Sequence, residues 1–163
     1  MSRFKNSNKE KHLASIPKTS LDNDEDKLTI KSKFNFSYMD FSQFGQRFED
    51  WNLVQLQKLL NKLVEYSRES LNHWAQQRIG AKNNTVLEVY GNLPKKTKCN
   101  KWPEHVPHQA QWARFRLEGR ARLVGFVLPN EYSGKSHSKT GKQFDCNTFY
   151  VVFLDLMHEF YLL

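Results

Sequence analysis

The sequence is poor in the features that cross-link a chain or insert it into a membrane. Its two cysteines, Cys99 and Cys146, are too few for a disulfide scaffold in 163 residues. No apolar run approaches the roughly 20 residues of a membrane span, because the longest candidate, Phe149–Met157, contains Asp155. The first residues, MSRFKNSNKEKHL, lack the apolar region of a signal peptide. We therefore expect a soluble, reduced, cytoplasmic protein that has no membrane partner.

Acidic residues are scarce in one part of the chain. Residues 91–142 contain eleven Lys or Arg and three acids, so their net charge of +8 equals that of the whole sequence. Residues 143–163 contain no Lys or Arg at all. A positive charge concentrated in this way is typical of nucleic-acid binders, and neutralisers of other polyanions and anionic-membrane binders share it. The partner predicted by composition is a polyanion, and RNA is the first to test.

The chain divides into a polar arm and one domain. Residues 1–27 are rich in Lys, Asn and Ser, end in the acidic cluster Asp22–Asp26, and are predicted to form a flexible arm. A partner-binding tail is the alternative. Residues 28–163 are predicted to form a single domain, whose aromatic residues include eleven of the chain's twelve Phe and can fill a core. Its first segment, Leu28–Met39, alternates apolar and polar residues as a half-buried strand does, and a short helix is expected to follow through Phe41, Phe44 and Phe48.

The clearest helix begins at Asn52. Asn52 and Gln55 have the spacing of a capping box, in which each side chain accepts from a backbone N–H of the first turn. An apolar stripe follows at Leu53, Leu56, Leu59, Leu60 and Leu63, and it can continue through Leu71 and Trp74. Gly80 is a plausible stop. The pattern predicts one helix or a broken helical hairpin over about 52–79.

Three strands are expected in the second half of the chain. They are WARFRL, ARLVGFVL and, after a polar loop, NTFYVVFLD. The run Phe149–Leu154 is apolar on both faces, which is typical of a central strand. The order of strand, helices and three sequential strands predicts an α+β fold in which N-terminal helices pack on a small antiparallel sheet.

The length of the loop between the first two of these strands follows from side-chain alternation. A two-residue turn at Glu118–Gly119 would place arginines on the apolar face. A three-residue loop, Glu118–Gly119–Arg120, pairs Leu117 with Ala121 and keeps that face apolar. Glycine also suits the bulge that such loops contain. We therefore predict the three-residue loop, with the pairs Phe115–Leu123 and Arg116–Arg122.

This register places Arg114, Arg116 and Arg122 on one face of the sheet, with Trp112 and Phe126 among them. Like charges that face one another destabilise a sheet, and an anionic ligand relieves the repulsion. Guanidinium groups match phosphate bidentately, and the aromatic rings could stack a base. The alternative is a solvated face whose arginines pair with acids at Glu88, Glu118 or Glu159.

Several segments resemble the RelE/ParE superfamily of bacterial toxins. They are the basic segment before Trp112, the WARFRL–EGR–ARLVGFV hairpin, the strand FYVVFLD and the terminal HEFY. Together they cover about residues 52–163 and are most similar to the YoeB-like, ribosome-associated endoribonucleases. The resemblance implies helices packed on an antiparallel sheet and cleavage of RNA by acid/base chemistry, without metal or cofactor. It also implies a toxin–antitoxin or defence module.

The resemblance assigns roles to individual residues. Arg122 matches the phosphate-stabilising arginine and His158 the general acid, and a simple strand-end histidine is the alternative for His158. Tyr161 matches the terminal tyrosine, and a core or surface tyrosine without a role in the site is the alternative. Two residues separate Tyr161 from His158, whereas the two are adjacent in the family. Glu88 is the nearest match to the general base. Arg116 completes the predicted catalytic set.

Further residues are predicted to bind RNA: Arg114, Arg120, Lys95, Lys96, Lys98, Lys101 and Trp112. A solvated turn is the alternative for the lysines. The loop Gly134–Lys142 lacks the spacing of a phosphate-binding P-loop, and is expected to be a mobile basic loop that can add phosphate contacts. His105, His108 and Cys99 do not have zinc-finger spacing, so no metal site is expected.

The predicted partners are RNA, the ribosome and an antitoxin. The antitoxin would lay an acidic segment across the arginine face, and the cluster Asp22–Asp26 could do so within the same chain. Two other functions stay open at this point. One is a non-enzymatic, ParE-like inhibitor of a protein target such as gyrase, because members of one superfamily differ in activity. The other is a basic nucleic-acid-binding module.

Overall fold

The described residues form an α+β fold with one five-stranded sheet. A computed structural model describes residues 6–17, 21, 28–80, 83–99, 101 and 103–162. Within them the helices are α1 (Ser7–Ser15), α2 (Leu53–Tyr66) and α3 (Leu71–Gln76). The strands are β1 (Lys33–Asn35), β2 (Leu87–Gly91), β3 (Gln111–Arg116), β4 (Arg122–Val127) and β5 (Thr148–Asp155), in the order β1-β5-β4-β3-β2. The predicted class is confirmed.

The sheet is mixed, so the prediction of an antiparallel sheet is wrong at one edge. Strands β2 to β5 are antiparallel neighbours, whereas β1 runs parallel to β5, with Phe34 opposite Phe149. The direction of β1 could not be predicted because no hairpin turn joins it to β5. Alternation of side chains fixes a face of the sheet but carries no information about direction.

The first segment of the domain is less regular than its sequence pattern indicates. Only three residues of Leu28–Met39 form a strand, and Leu28–Ile30 is an exposed turn of 3₁₀-helix. The helix predicted through Phe41, Phe44 and Phe48 is also absent in this described segment, where only Phe48–Asp50 forms a 3₁₀ turn. Phe44 instead packs against Phe153 and Phe160, so tertiary contacts determine its position.

The predicted helical region is a broken hairpin. The capping box at its start is confirmed, since Asn52 accepts from the backbone N–H of Gln55 at 2.9 Å and Gln55 accepts from that of Asn52 at 2.9 Å. The chain leaves the helix after Tyr66, and Ser70 caps the start of α3. The predicted leucine stripe is too wide: Leu56, Leu59 and Leu63 pack in the core, whereas Leu53 and Leu60 are exposed. In a helix of 3.6 residues per turn these last two point well away from Leu59.

The N-terminal arm contains a helix that was not predicted. Asn6 caps α1, in which no residue is buried. The cluster Asp22–Asp26 lies outside the described residues, so its contact with the arginine face stays a prediction.

Apolar side chains cover both faces of the sheet. On the inner face, Phe115, Leu123 and Phe149 pack against α2 and α3. On the outer face, Trp112, Phe126, Phe153 and Phe160 form a second cluster with Cys99, Val106 and Ala110. The three arginines of β3 and β4 lie at one end of the outer face, at the β3–β4 loop. No helix among the described residues is long and apolar enough to span a bilayer.

Candidate functional site

The hairpin register predicted from alternation is confirmed. Phe115 pairs with Leu123 and Arg116 with Arg122 across β3 and β4. The backbone N–H of Leu117 donates to the carbonyl of Ala121 at 3.1 Å, which closes the three-residue loop. The three arginines therefore share the outer face, at the end of the sheet where this loop lies.

The arginines are unusually buried for charged side chains. Arg114 is 6% exposed and Arg122 is 5% exposed, and Arg116 is partly covered. Taking a guanidinium out of water carries a free-energy penalty that a nearby anion must offset. The acid–base balance around these three side chains therefore decides what the site can bind.

Glu88 supplies the negative charge. It lies on β2, a strand that the sequence analysis did not recognise, directly opposite Arg114. Its Oε2 atom accepts from Arg114 Nε at 3.1 Å and Nη2 at 2.6 Å, and Oε1 lies 3.5 Å from Arg116 Nη2. Burial alone would raise the pKa of Glu88, but the hydrogen bonds and charge of Arg114 outweigh it and hold the pKa below its usual value. Glu88 is thus ionised at neutral pH.

Arg122 has no acidic partner among the described residues. Its Nη1 donates to the carbonyls of Gly119 at 3.0 Å and Ala121 at 2.7 Å, which fixes the side chain against the hairpin loop. Its Nε is buried without a hydrogen-bond partner, as is the Nε of Arg116. Burial, together with repulsion from Arg114 and Arg116, lowers the pKa of Arg122 to about 10. The group stays charged at neutral pH, and its surroundings favour an added anion.

The chain after β5 brings two more predicted residues to this place. Asp155, 1% exposed, accepts from the backbone N–H groups of Glu159 (2.9 and 3.0 Å) and Phe160 (2.9 Å). Phe160 is buried against Trp112 and Phe153. This turn leaves His158 in the left-handed region, at φ 59°, and turns the chain back across the arginine face.

His158 and Tyr161 both contact Arg114. His158 Nε2 accepts a hydrogen bond from Arg114 Nη1. The rings of Tyr161 and Tyr90 stack in parallel with centroids 4.5 Å apart, and the Arg114 guanidinium lies 5.7 and 5.4 Å from the two ring centres. The two residues between His158 and Tyr161 therefore do not separate them in space. Tyr90 was missed because β2 was not recognised, whereas Asp155 had a signal as the one acid in the longest apolar run.

The role predicted for Trp112 is wrong in this structure. Trp112 lies on the arginine face as the register requires, but it and Phe126 are 0% and 1% exposed. Both belong to the outer apolar cluster, together with Cys99, Val106 and Ala110. Their rings are therefore covered and unavailable to stack a base. Tyr90 and Tyr161 are the aromatic side chains next to the arginines.

The other predicted RNA-binding residues lie around the site. Arg120 is exposed at the hairpin loop, and Lys95 and Lys96 are exposed as well. Lys98 pairs with Glu159, and Lys101 pairs with Glu104 at 2.6 Å. Their contact with RNA stays a prediction.

The proposed pairing of the arginines with acids is realised by Glu88. Glu118 pairs instead with Lys58 at 2.6 Å. The loop Gly134–Lys142 is exposed and closes on itself, with the N–H of His137 donating to the carbonyl of Lys142 at 2.8 Å.

The segment around His105 shows structural contacts. His105 Nε2 donates to the carbonyl of Tyr38 at 2.9 Å, and Cys99 is buried. Among the described residues, no three His, Cys, Asp or Glu side chains are grouped so that they could hold a metal ion.

The environment of His158 predicts a pH dependence of stability. Burial lowers the pKa of His158, and Arg114, Arg122 and Arg116 lower it further, against a smaller opposite effect of Asp155. The unfolded chain therefore takes up this proton more readily than the folded one. Stability contributed by neutral His158 should be present above about pH 6.5 and be lost as the pH falls below that value.

Thermal unfolding between pH 7.5 and 5 can measure this effect. We expect the melting temperature of His158→Gln to fall less on acidification than that of the wild type. The exposed His108→Gln variant is the control and should follow the wild type. Parallel curves for all three proteins would contradict the assignment.

No protein-family model, curated protein or solved structure matches this chain.

Proposed function

We propose that the chain is a metal-independent endoribonuclease of the RelE/ParE toxin type, which binds an RNA phosphate against Arg122 and Arg116. The observation that carries the proposal is the buried Arg122 guanidinium, which forms no ion pair among the described residues and keeps an unpartnered Nε. A protein gains little stability from a buried cation without an anion, and perturbed buried groups are concentrated at functional sites.

The chemistry requires no group beyond the chain and its RNA. The ribose 2′-oxygen attacks the adjacent phosphorus, so that the O2′–P bond forms and the P–O5′ bond breaks. Glu88, the base that the resemblance implies, takes the 2′-hydroxyl proton, and an acid delivers a proton to the departing 5′-oxygen. The products are a 2′,3′-cyclic phosphate and a 5′-hydroxyl end. Arg122 and Arg116 stabilise the additional negative charge of the pentacoordinate phosphorane.

His158 is the general acid in this proposal. In the unliganded protein burial and then the arginines lower the pKa of His158 and keep it neutral, and Arg114 donates to its Nε2. A bound phosphate adds negative charge close to the ring and opposes the effect of the arginines, which raises the pKa of His158 toward neutrality. Substrate binding thereby produces the protonated acid. Tyr161 lies beside the Arg114 guanidinium, and its proposed role is to orient the RNA strand.

The proposed partners follow from the same charges. RNA is the substrate, either free or on the ribosome, and an antitoxin with an acidic segment would neutralise the arginine face. The net charge of +8 in residues 91–142 supports a polyanionic partner.

The proposal is tested with purified protein and end-labelled single-stranded RNA in EDTA, with and without ribosomes. We expect cuts that leave 2′,3′-cyclic phosphate and 5′-hydroxyl ends. A matched RNA with a single 2′-deoxyribose at the cut linkage should resist cleavage there. Cleavage that survives this change would contradict the mechanism, as would intact RNA in every condition. Growth arrest with intact cellular RNA would favour the inhibitor of a protein target.

A further inference from the structure

Glu88 forms ion pairs with two arginines of the site, which the role of a base does not explain. In the described part of the chain it is the one acid that forms ion pairs with Arg114 or Arg116. Asp155 lies opposite Arg122 on the neighbouring strand, but its carboxylate oxygens accept from backbone N–H groups. A single carboxylate thus bridges two of the three arginines at the centre of the site.

We infer that Glu88 occupies the place of an RNA phosphate, and that the RNA strand must displace it to reach Arg114 and Arg116. The inference rests on the proposed function, because it concerns the same arginines. It makes Glu88 an internal competitor that sets the affinity of the site for anions. Once RNA has displaced it from the arginines, the Glu88 carboxylate is free to take the 2′-hydroxyl proton, so the competitor role is compatible with that of the base.

The geometry of the contact supports this role. Arg114 presents Nε and Nη2 side by side to one carboxylate oxygen, at 3.1 and 2.6 Å. This edge of a guanidinium is the one that phosphate oxygens also bind. The same carboxylate reaches toward Arg116, as a phosphate between the two side chains would. Any anion that binds this pair of arginines must therefore compete with Glu88 for the same donors.

The charge balance favours replacement by an anion of higher charge. One carboxylate faces three guanidinium groups, and the Nε atoms of Arg116 and Arg122 stay without partners. The Oε1 atom of Glu88 is buried and forms only the long 3.5 Å ion pair with Arg116. A phosphate has more acceptor oxygens than a carboxylate, so it can engage donors that Glu88 leaves unpaired.

Glu88 also lies on an edge strand of the sheet. Among the described strands β2 is hydrogen-bonded to β3, and its register shifts between Val89 and Gly91. Gly91 has φ 82°, a conformation open to glycine. The Glu88 side chain keeps 17% of its surface exposed. The carboxylate can therefore rotate toward solvent while β3 and its arginines stay in place.

The test compares anion affinity in two variants that make the same change of charge. Glu88→Gln removes the competing carboxylate, and Glu118→Gln removes an exposed one of the same hairpin, which pairs with Lys58. Binding of inorganic phosphate and of a 2′-O-methylated RNA, which cannot be cleaved, is measured by calorimetry at constant salt. We expect Glu88→Gln to bind both ligands at least about tenfold more tightly than the wild type, because a direct competitor is gone. Glu118→Gln should change affinity less than about twofold.

Equal effects of the two substitutions would overturn the inference, since general electrostatics would then account for both. If Glu88→Gln does not fold, the wild type provides the test. Phosphate should shift the Nε–Hε resonance of Arg114 as its contact with Glu88 is exchanged, and an unchanged resonance at saturating phosphate would refute displacement.

The inference and the proposed function fail separately. Wild-type cleavage of RNA without tighter anion binding by Glu88→Gln would retain the nuclease and remove the competitor role. Tighter anion binding by Glu88→Gln, with no cleavage by any form of the protein, would retain the competitor role and remove the nuclease.

Discussion

Substituting Arg122 by alanine is expected to lower the rate of RNA cleavage at saturating RNA by at least about 100-fold. The guanidinium is held by the carbonyls of Gly119 and Ala121 and has a free Nε, so it is preorganised for the charge that develops on the phosphorane. Removing one preorganised donor of this kind lowers turnover by about two to three orders of magnitude. Arg122→Lys keeps the charge but loses the planar fork, and should recover only part of the rate.

Arg120→Ala is the matched control for this experiment. Arg120 belongs to the same hairpin and carries the same charge, but its side chain is exposed. Its loss should weaken RNA binding slightly, mainly at low salt, and leave turnover at saturating RNA nearly unchanged. Equal losses of turnover in Arg120→Ala and Arg122→Ala would show that the total positive charge, rather than the buried arginine, matters.

Substituting Asp155 by alanine is expected to have the largest effect on stability. Its carboxylate satisfies two backbone N–H groups in the turn that positions His158, and the residue is 1% exposed. Unsatisfied buried donors each destabilise a protein by about 1–3 kcal/mol, so we expect a loss of about 2–5 kcal/mol in the free energy of unfolding. Chemical denaturation measures this loss. Asp155→Asn keeps one acceptor oxygen and should recover part of the stability.

Glu104→Ala provides the comparison for Asp155→Ala. Glu104 pairs with Lys101 at 2.6 Å, and both side chains are largely exposed. Exposed ion pairs contribute at most about 1 kcal/mol. A loss as large as that of Asp155→Ala, or a wild-type free energy of unfolding in Asp155→Ala, would contradict the role given to the C-terminal turn.

The arginine face could be predicted from the sequence because its register has one solution. Only the three-residue loop keeps Phe115 and Leu123 on a common apolar face, and a half-buried sheet enforces that choice. The start of α2 could be predicted for a similar reason, since the side chains of Asn52 and Gln55 satisfy local backbone donors. Both features depend on neighbours a few residues apart.

The parts that were not predicted depend on contacts between distant segments. The direction of β1 is determined by its pairing with β5, more than 100 residues later. Tyr90 belongs to the site because β2 pairs with β3. Trp112 does not, because its ring is buried in the outer cluster with Cys99, Val106 and Ala110. Alternation shows on which face a side chain lies, but not whether another segment covers that face.

The most direct test of the central claim follows the arginine Nε–Hε resonances while 2′-O-methylated single-stranded RNA is added. Such an RNA keeps its phosphates but cannot be cut, so binding is observed without chemistry. If the buried arginines form the phosphate site, the resonances of Arg122 and Arg116 will shift together and saturate. In Arg122→Ala, the Arg116 resonance should stay unshifted at the same RNA concentrations. Shifts confined to exposed Arg120, with Arg116 and Arg122 unchanged at saturation, would contradict the account.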